Sequence, residues 1–446
     1  MHSNNEEIIE TGEIVIPENR NYREDFKILI AAFEDKLIER EPYIRMQLLF
    51  LFAKQHYFYI GEPGVGKTYF CKIIFSCIKD ANVWEIQMTK GTTEEMLLGT
   101  DLDSPNSIIN AHIVYLDEMY KGDPIVLVKL LSFLNERVFY INGVPKKVKL
   151  IAAVGASNEF PVGEIVAPFD DRFMGRSEVP RIQTKENRKR FINKDYDTSL
   201  DLPLYFYLAD IEYCNEMAKD IEIEEHFEEK FLKLMEVTIK ESVKCSDRKF
   251  GYAIAILKMS AFLNGRKKVN DSELFIMKNI AWSNYQDRTN IRRIINEVMY
   301  GRKDDVIEKL QSIDKNITKT ISIKNSDYLE LISYKKEFTG RDKENYFFMA
   351  RDELLKISNQ LNLELDRLED ISRHYENVKE IELEISDNIF LFDERNDVFT
   401  TDILRQMVTL FERISNNKNE IEDFLYSNKN LHDYEEKFYA ESFAVV

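Results

Sequence analysis

Eight consecutive residues, Gly61-Glu62-Pro63-Gly64-Val65-Gly66-Lys67-Thr68, follow the pattern G-x-x-x-x-G-K-T. Glycines at these points let the backbone turn so that successive amide N–H groups converge, the geometry that holds a phosphate. A helix opening at the end of the loop adds the positive end of its dipole, roughly half a charge. Lys67 is then placed for the β- and γ-phosphates of ATP, the Thr68 hydroxyl for the accompanying Mg²⁺, and Tyr69 flanks the loop.

Five further positions complete a hydrolytic site on this reading. Asp117 ends an apolar run, Ile113-Val114-Tyr115-Leu116, where a carboxylate can hold the same Mg²⁺ through water. Glu118 directly after it is placed to orient and polarise an attacking water. A Glu in that position separates hydrolytic motors from kinases with related loops; the alternative is a solvent-exposed pair at a strand end. Asn158, after the next apolar run, can hydrogen-bond the γ-phosphate or that water. Arg172, in Phe169-Asp170-Asp171-Arg172-Phe173, would stabilise spreading charge on a neighbouring subunit's γ-phosphate. Its alternative is an ion pair with Asp170 or Asp171, and Arg176 is the second choice of finger. Arg248, opening a later helix, would report γ-phosphate occupancy to the second domain.

The elements that position these groups are legible from periodicity. Apolar positions Phe26, Leu29, Ile30, Phe33 and Leu37 predict a helix over Tyr22 to Ile38, followed by one over Pro42 to Ala53. Tyr57 to Ile60 is a strand running straight into the loop, and Thr68 to Ile78 is the helix after it. Strands are expected at Val83 to Met88, Ile113 to Leu116 and Leu150 to Gly155. Short helices are expected at Thr93 to Leu98 and Ile125 to Asn135. Asn142-Gly143 between Val138 to Ile141 and Lys147 to Leu150 signals a hairpin. Alternating strands and helices to about Pro180 imply an α/β fold, a mostly parallel open sheet with helices on both faces.

Beyond Pro180 the pattern is helical: Glu186 to Asn193, Ile211 to Lys219, Glu224 to Ser242, Asp247 to Asn264 and Ser272 to Trp282. Ser246 is the expected N-cap of the fourth, with Gly265 just past its end. After Gly301, Thr318 to Ile323 and Tyr328 to Ile332 read as short strands or a hairpin. A long helix follows over Glu344 to Lys379, with Leu354, Ile357, Leu361, Leu365, Leu368, Ile371, Tyr375 and Val378 as a narrow seam. Asp402 to Tyr426 is its expected antiparallel partner, and Ile381 to Phe392 a strand pair. The chain thus divides into a polar tail (1–20), a nucleotide-binding core (21–180), a helical lid (181–300) and a mainly helical acidic arm (301–446).

Composition sets limits. The 446 residues are 44% hydrophobic and 31% charged, as in a globular protein of several domains. The longest apolar run, Met46 to Ala53, is interrupted by Gln47 and falls far short of the ~20 residues of a membrane span. Glu6, Glu7 and Glu10 replace the basic start of a signal peptide. Cys71, Cys77, Cys214 and Cys245 lack zinc-site or disulfide spacing, which fits the reducing cytoplasm. From Arg341 onward 13 Lys/Arg face 25 Asp/Glu, which is −12 of the net −18. Such a surface repels phosphate backbones, so nucleic acid is not the default partner. It is either a solvated helical face or a dock for a basic protein.

In this order the motifs resemble those of MoxR-family AAA+ ATPases, and most closely the RavA branch. The similarity runs from about Lys36 to Trp282. It takes in Leu37-Ile38-Glu39-Arg40, Met88-Thr89, Thr93-Glu94-Glu95, Leu134-Asn135-Glu136-Arg137, Ala156-Ser157-Asn158-Glu159 and Asp171-Arg172-Phe173. Ser246-Asp247-Arg248-Lys249 and Ser260-Ala261-Phe262-Leu263-Asn264-Gly265-Arg266 are its most branch-specific stretches. The resemblance implies an αβα core with a helical lid, and a hexameric ring with ATP at subunit interfaces. It also implies chaperone-like remodelling beside a von Willebrand factor A-domain partner. On it Lys67, Thr68, Asp117 and Glu118 are the Walker residues, Asn158 is sensor 1, Arg172 the arginine finger and Arg248 sensor 2. The Val138–Leu150 hairpin corresponds to the insertion that projects toward a pore. The segment between Gly99 and Ile113 is shorter than in such relatives, which favours a switch or scaffold over threading. Two alternatives stay open: a nucleic-acid motor of a defence system, hinted at by Lys146, Lys147 and Lys149, and a slow nucleotide-gated scaffold.

Overall fold

A computed structural model describes residues 20–159, 169, 171–193, 202–301, 303–334, 341–392 and 397–427. The expected polar tail, save residue 20, and Asp170 lie outside these residues. The chain forms two compact units. The first comprises residues up to Met299 together with Leu383–Glu394, and the second takes the remainder.

The first unit is built on a parallel sheet. Helix α1 (Tyr22–Lys36) starts where the Asn21 side chain accepts from Glu24 N. Helix α2 (Glu41–Phe52) is apolar on nearly every side and buried from Met46 to Phe52. It leads to β1 (Tyr57–Ile60), all four residues of which are buried. There follow α3 (Lys67–Phe75), β2 (Val83–Gln87), α4 (Glu94–Leu98), β3 (Ile113–Asp117), α5 (Pro124–Glu136), β4 (Val138–Ile141), β5 (Val144–Lys147), β6 (Ala152–Ser157) and β7 (Gly175–Glu178). The sheet order is β2-β3-β6-β1-β7, every pair parallel. The centre reads as continuous apolar sequence because helices cover both faces.

Two boundaries differ from the sequence expectation. The hairpin's second strand begins at Val144, pairing with Ile141, and Lys147 pairs with Val138. Asn142 and Gly143 both take positive φ, so the turn needs only two residues and the return strand starts at once. Lys149 and Leu150 instead lead into β6.

At the sheet's β7 edge the outward carbonyls are met by side chains. Tyr43 OH donates to Glu178 O at 2.9 Å, and Asn279 Nδ2 to Arg176 O at 3.3 Å.

The helical part of this unit contains α6 (Lys185–Ile192), α7 (Leu208–Ala218), α8 (Glu225–Lys240), α9 (Asp247–Leu263) and α10 (Tyr285–Tyr300). Ser246 caps α9 by accepting from Lys249 N, and Gly265 takes positive φ just beyond its end. Expected helix Ser272 to Trp282 is instead a 3₁₀ stretch, Asp271–Asn279, buried from Ser272 to Met277. With no solvent-facing side it lacks the amphipathic stripe of an α-helix, and polar side chains fix it. Glu273, fully buried, accepts from Arg266, from Ser260 Oγ at 3.0 Å and from Asn388 Nδ2 at 2.9 Å. Asn388 Oδ1 in turn accepts from Asn264 Nδ2 at 3.1 Å, and Ile389 N donates to Asn264 Oδ1 at 2.9 Å. Residues Ser260 to Arg266 therefore form the socket for a clip that returns from far along the chain. Phe390 seats it against Phe26, ring centroids 5.6 Å apart.

The second unit is helical: α11 (Lys303–Tyr334), α12 (Arg341–Asp387) and α13 (Asp397–Ser427), with the last residues of α12 belonging to the clip. No strand interrupts α11 at Thr318 to Ile323 or Tyr328 to Ile332. Buried positions Val306, Leu310, Ile313, Ile317, Thr320 and Lys324 recur every three or four residues, and this period overrides local β-branched propensity. Likewise Ile381 and Ile385 continue the buried stripe of α12 from Val378, and the chain turns only at Asn388. Helix α13 packs on α11, with Arg413 paired to Asp314 and Lys324 donating to Asn417 Oδ1 at 2.8 Å. Asn316 of α11 also meets Glu364 of α12 at 3.0 Å, so α11 is a third helix in the bundle that sequence periodicity drew as a hairpin of two.

Candidate nucleotide site

The loop between β1 and α3 holds the shape its glycines allow. Gly64 and Gly66 have φ of 81° and 84°, a region costly for residues with a Cβ. A Cβ on Gly61 would lie 2.5 Å from Val179 O, so the loop's first residue has no room for a side chain. Arg40 braces the loop from outside, donating to Val65 O at 3.0 Å and to Pro180 O at 3.3 Å. Glu62 pairs with Arg181 at 2.5 Å, while Pro63 and Tyr69 lie on the exposed side.

Lys67 is buried and turned back on its own loop. Its Nζ donates to Gly61 O at 2.6 Å, Glu62 O at 3.2 Å and Asn158 Oδ1 at 2.8 Å. Burial lowers its pKa, with Asp117 and then Glu118 opposing the shift. Thr68 Oγ1 donates to Asp117 Oδ2 at 3.1 Å. Asp117 Oδ1 accepts from Glu118 N at 3.0 Å. Glu118 has left-handed backbone, φ 49° and ψ 39°, which turns its side chain inward, where only 7% of the residue is exposed. Its carboxylate accepts from Asn158 Nδ2 and pairs with Lys121 at 3.2 Å. Five side chains from four elements thus form one chain of contacts: Asn158 joins Lys67 to Glu118, and Asp117 joins Glu118 to Thr68.

Arg172 and Arg248 are grouped elsewhere. Arg172 Nη1 lies 3.2 Å from Asp171 Oδ2, and Arg248 Nη1 lies 3.5 Å from the same oxygen. Ser246 Oγ donates to the other Asp171 oxygen. The two guanidiniums are close enough that burial and then Arg248 lower the pKa of Arg172. Arg176, the second choice of finger, is 2% exposed, with its guanidinium 5.5 Å from the Trp282 ring centroid. A side chain so enclosed is not available for delivery to a neighbour.

Sequence reasoning gave no site role to Tyr115 or Lys121. Tyr115 OH lies 3.2 Å from Thr68 Oγ1, and its position two residues before Asp117 on one strand face was the available signal. Lys121 carried no sequence signal, because the turn after Glu118 brings it back. Arg137 anchors the hairpin base: it donates to Leu134 O at 2.9 Å and Ile151 O at 3.1 Å, with His56 Nε2 2.6 Å away. His56 accepts from Ala153 N on Nδ1, and burial holds its pKa well below the ordinary value.

Residues 24–194 match the family model of the MoxR domain in the MoxR-vWA-beta-propeller ternary systems, and residues 222–295 match an AAA lid domain. The core and lid are those of a MoxR-family AAA+ ATPase. An uncharacterized protein of Methanocaldococcus jannaschii is 29% identical to this chain over 314 residues, 66% of the chain and 82% of the relative. A second uncharacterized protein of that organism is 26% identical over 356 residues, covering 77% and 94%. The crystal structure of a Cytophaga hutchinsonii protein proposed to be an ATPase superimposes with a TM-score of 0.52 at 18% identity. It covers 63% of this chain and 95% of its own, a likeness of fold. Among the described residues, no helix is long and apolar enough to cross a membrane.

Proposed function

We propose that the chain is a Mg²⁺-dependent ATPase of ring-forming, RavA-like type that couples hydrolysis to remodelling or activation of a protein partner. The observation that carries the hydrolytic part is Asn158 holding both Lys67 and Glu118. An arriving γ-phosphate competes for Lys67 and for Asn158 together, which frees Glu118 to take the attacking water. Amides from Gly61 to Thr68 and the α3 terminus hold the phosphates, and Lys67 neutralises them. Thr68 and Asp117 supply hard oxygen donors, the chemistry that suits Mg²⁺.

The common contact of Arg172 and Arg248 with Asp171 supports one role for the pair. We assign both to the γ-phosphate of a neighbouring subunit, in a ring for which the family resemblance implies six subunits. Arg248 would then report the occupancy of the neighbour's γ-phosphate to its own lid. The partner is best sought among von Willebrand factor A-domain proteins, since the matching MoxR domain is described from such systems. A nucleic-acid motor is less well supported, because Lys146, part of its basic hint, lies 3.5 Å from Asp103.

Mixing subunits tests the assignment. Lys67→Ala should lose nucleotide binding, while Arg172→Ala and Arg248→Ala should each keep it and lose hydrolysis. Rings mixed from Lys67→Ala and Arg172→Ala subunits should regain part of the wild-type rate, since some interfaces pair an intact loop with an intact finger. Absence of recovery in mixed rings, or normal turnover by pure Arg172→Ala, would remove the trans role.

A further inference from the structure

Tyr115 lies on β3 two residues before Asp117, so both side chains leave the same face of the strand. We propose that Tyr115 is a positioning residue for the metal that accompanies nucleotide: its phenol aims the Thr68 oxygen and thereby favours Mg²⁺ over larger divalent ions. This inference rests on the Mg²⁺-dependent hydrolysis proposed above and deepens it.

Packing alone does not call for the phenol. Its strand neighbours Ile113, Val114 and Leu116 are apolar and buried, and the Tyr115 ring meets Phe75 of α3 edge-on, centroids 6.4 Å apart. A phenylalanine would fill that space equally well. The added hydroxyl is buried and set 3.2 Å from Thr68 Oγ1.

The direction of that bond follows from the proton count. Thr68 has one hydroxyl proton, which goes to Asp117 Oδ2 at 3.1 Å, a carboxylate oxygen that only accepts. The proton between Tyr115 and Thr68 therefore comes from the phenol. Donation runs one way, from Tyr115 through Thr68 to Asp117, whose other oxygen accepts from Glu118 N at 3.0 Å. Hydrogen bonds chained in this manner polarise one another. Of the two lone pairs on Thr68 Oγ1, one takes the phenol proton and the second is left for a cation. The hydroxyl then has a single direction in which to offer electrons. Thr68 and Asp117 are an all-oxygen donor set, which fits Mg²⁺. That ion demands near-ideal octahedral geometry, whereas Ca²⁺ accepts irregular arrangements, so a fixed lone pair benefits Mg²⁺ most. Groups hydrogen-bonded to a metal ligand commonly set its orientation.

Equilibrium binding of fluorescent ADP to the full chain, titrated with Mg²⁺ or with Ca²⁺, tests this without recourse to turnover. Tyr115→Phe should raise the Mg²⁺ concentration at half-effect by about threefold or more, the scale of one hydrogen bond, and the Ca²⁺ value by less than about twofold. Binding without metal should be unchanged. Tyr59→Phe removes a different buried phenol, bonded to Gln47 Oε1 at 2.8 Å, and should leave both values as they are. Wild-type binding indifferent to Mg²⁺ would overturn the metal reading of the site, and the role of Tyr115 with it. Mg²⁺-dependent binding with the same half-effect in wild type and Tyr115→Phe would overturn the role of Tyr115 alone. An equal loss for Mg²⁺ and Ca²⁺, or an equal loss in Tyr59→Phe, would overturn the aiming of Thr68.

Discussion

Glu118 sits in left-handed backbone that a residue with a Cβ occupies at a cost, and its carboxylate is held by Asn158 and Lys121. Such a position is kept for what the side chain reaches. Glu118→Gln should therefore retain nucleotide binding while lowering hydrolysis by about 10²–10⁴, the usual contribution of a general base, as read by phosphate release beside fluorescent-nucleotide titration. Normal turnover would move the base elsewhere. The phosphate loop and Asp117-Glu118 were legible in sequence because their chemistry is local, with strand, turn and helix supplied by adjacent residues. The partnership of Arg172 with Arg248 was not. It depends on where the lid places Ser246 and the start of α9, 75 residues beyond Asp171, and no local pattern encodes that.

At the scale of elements, the 3₁₀ stretch and its socket give a distinct pH signature. Burial pushes the Glu273 carboxyl up to about 7, with Arg266 opposing the shift and Glu384 adding to it. The folded protein therefore holds a proton that the unfolded chain releases near 4.5. The stabilisation is complete below that pH and is lost as pH rises through 7. At about 1.4 kcal/mol per pH unit this is about 3 kcal/mol at most. Glu273→Gln, which cannot ionise, should flatten the melting temperature between about pH 4.5 and 7; an unchanged slope would show that Glu273 is ionised throughout. Asn388→Ala should cost about 1–3 kcal/mol for each polar group it leaves buried and unpaired, measured by denaturant unfolding. The parallel sheet was readable because its strands are near-continuous apolar runs. Helix α11 was not, because Ile317, Ile321 and Ile323 favour strand locally while the stripe that decides the matter runs from Val306 to Lys324. The 3₁₀ stretch was missed for a related reason: once both faces are buried, apolar spacing no longer separates it from an α-helix.

Over the whole molecule the first unit is discontinuous in sequence, its last piece coming from Leu383–Glu394. A chain ending at residue 300 keeps every residue of the phosphate loop and the lid yet loses Asn388. We expect it to bind nucleotide with affinity close to that of the full chain, but to melt several degrees lower. Equal melting temperatures would show that the socket closes on its own.

The same discontinuity bears on how the protein is made. Asn264 and Asn388 are separated by 124 positions. At ~5–20 residues added per second, the ribosome needs about 6–25 s between them. During that interval the lid helices are complete while Glu273 and Asn264 still lack their contacts with Asn388. Nascent lid thus waits on later synthesis, and an aborted or prematurely cleaved product would carry a wet, charged hole where the finished chain is sealed.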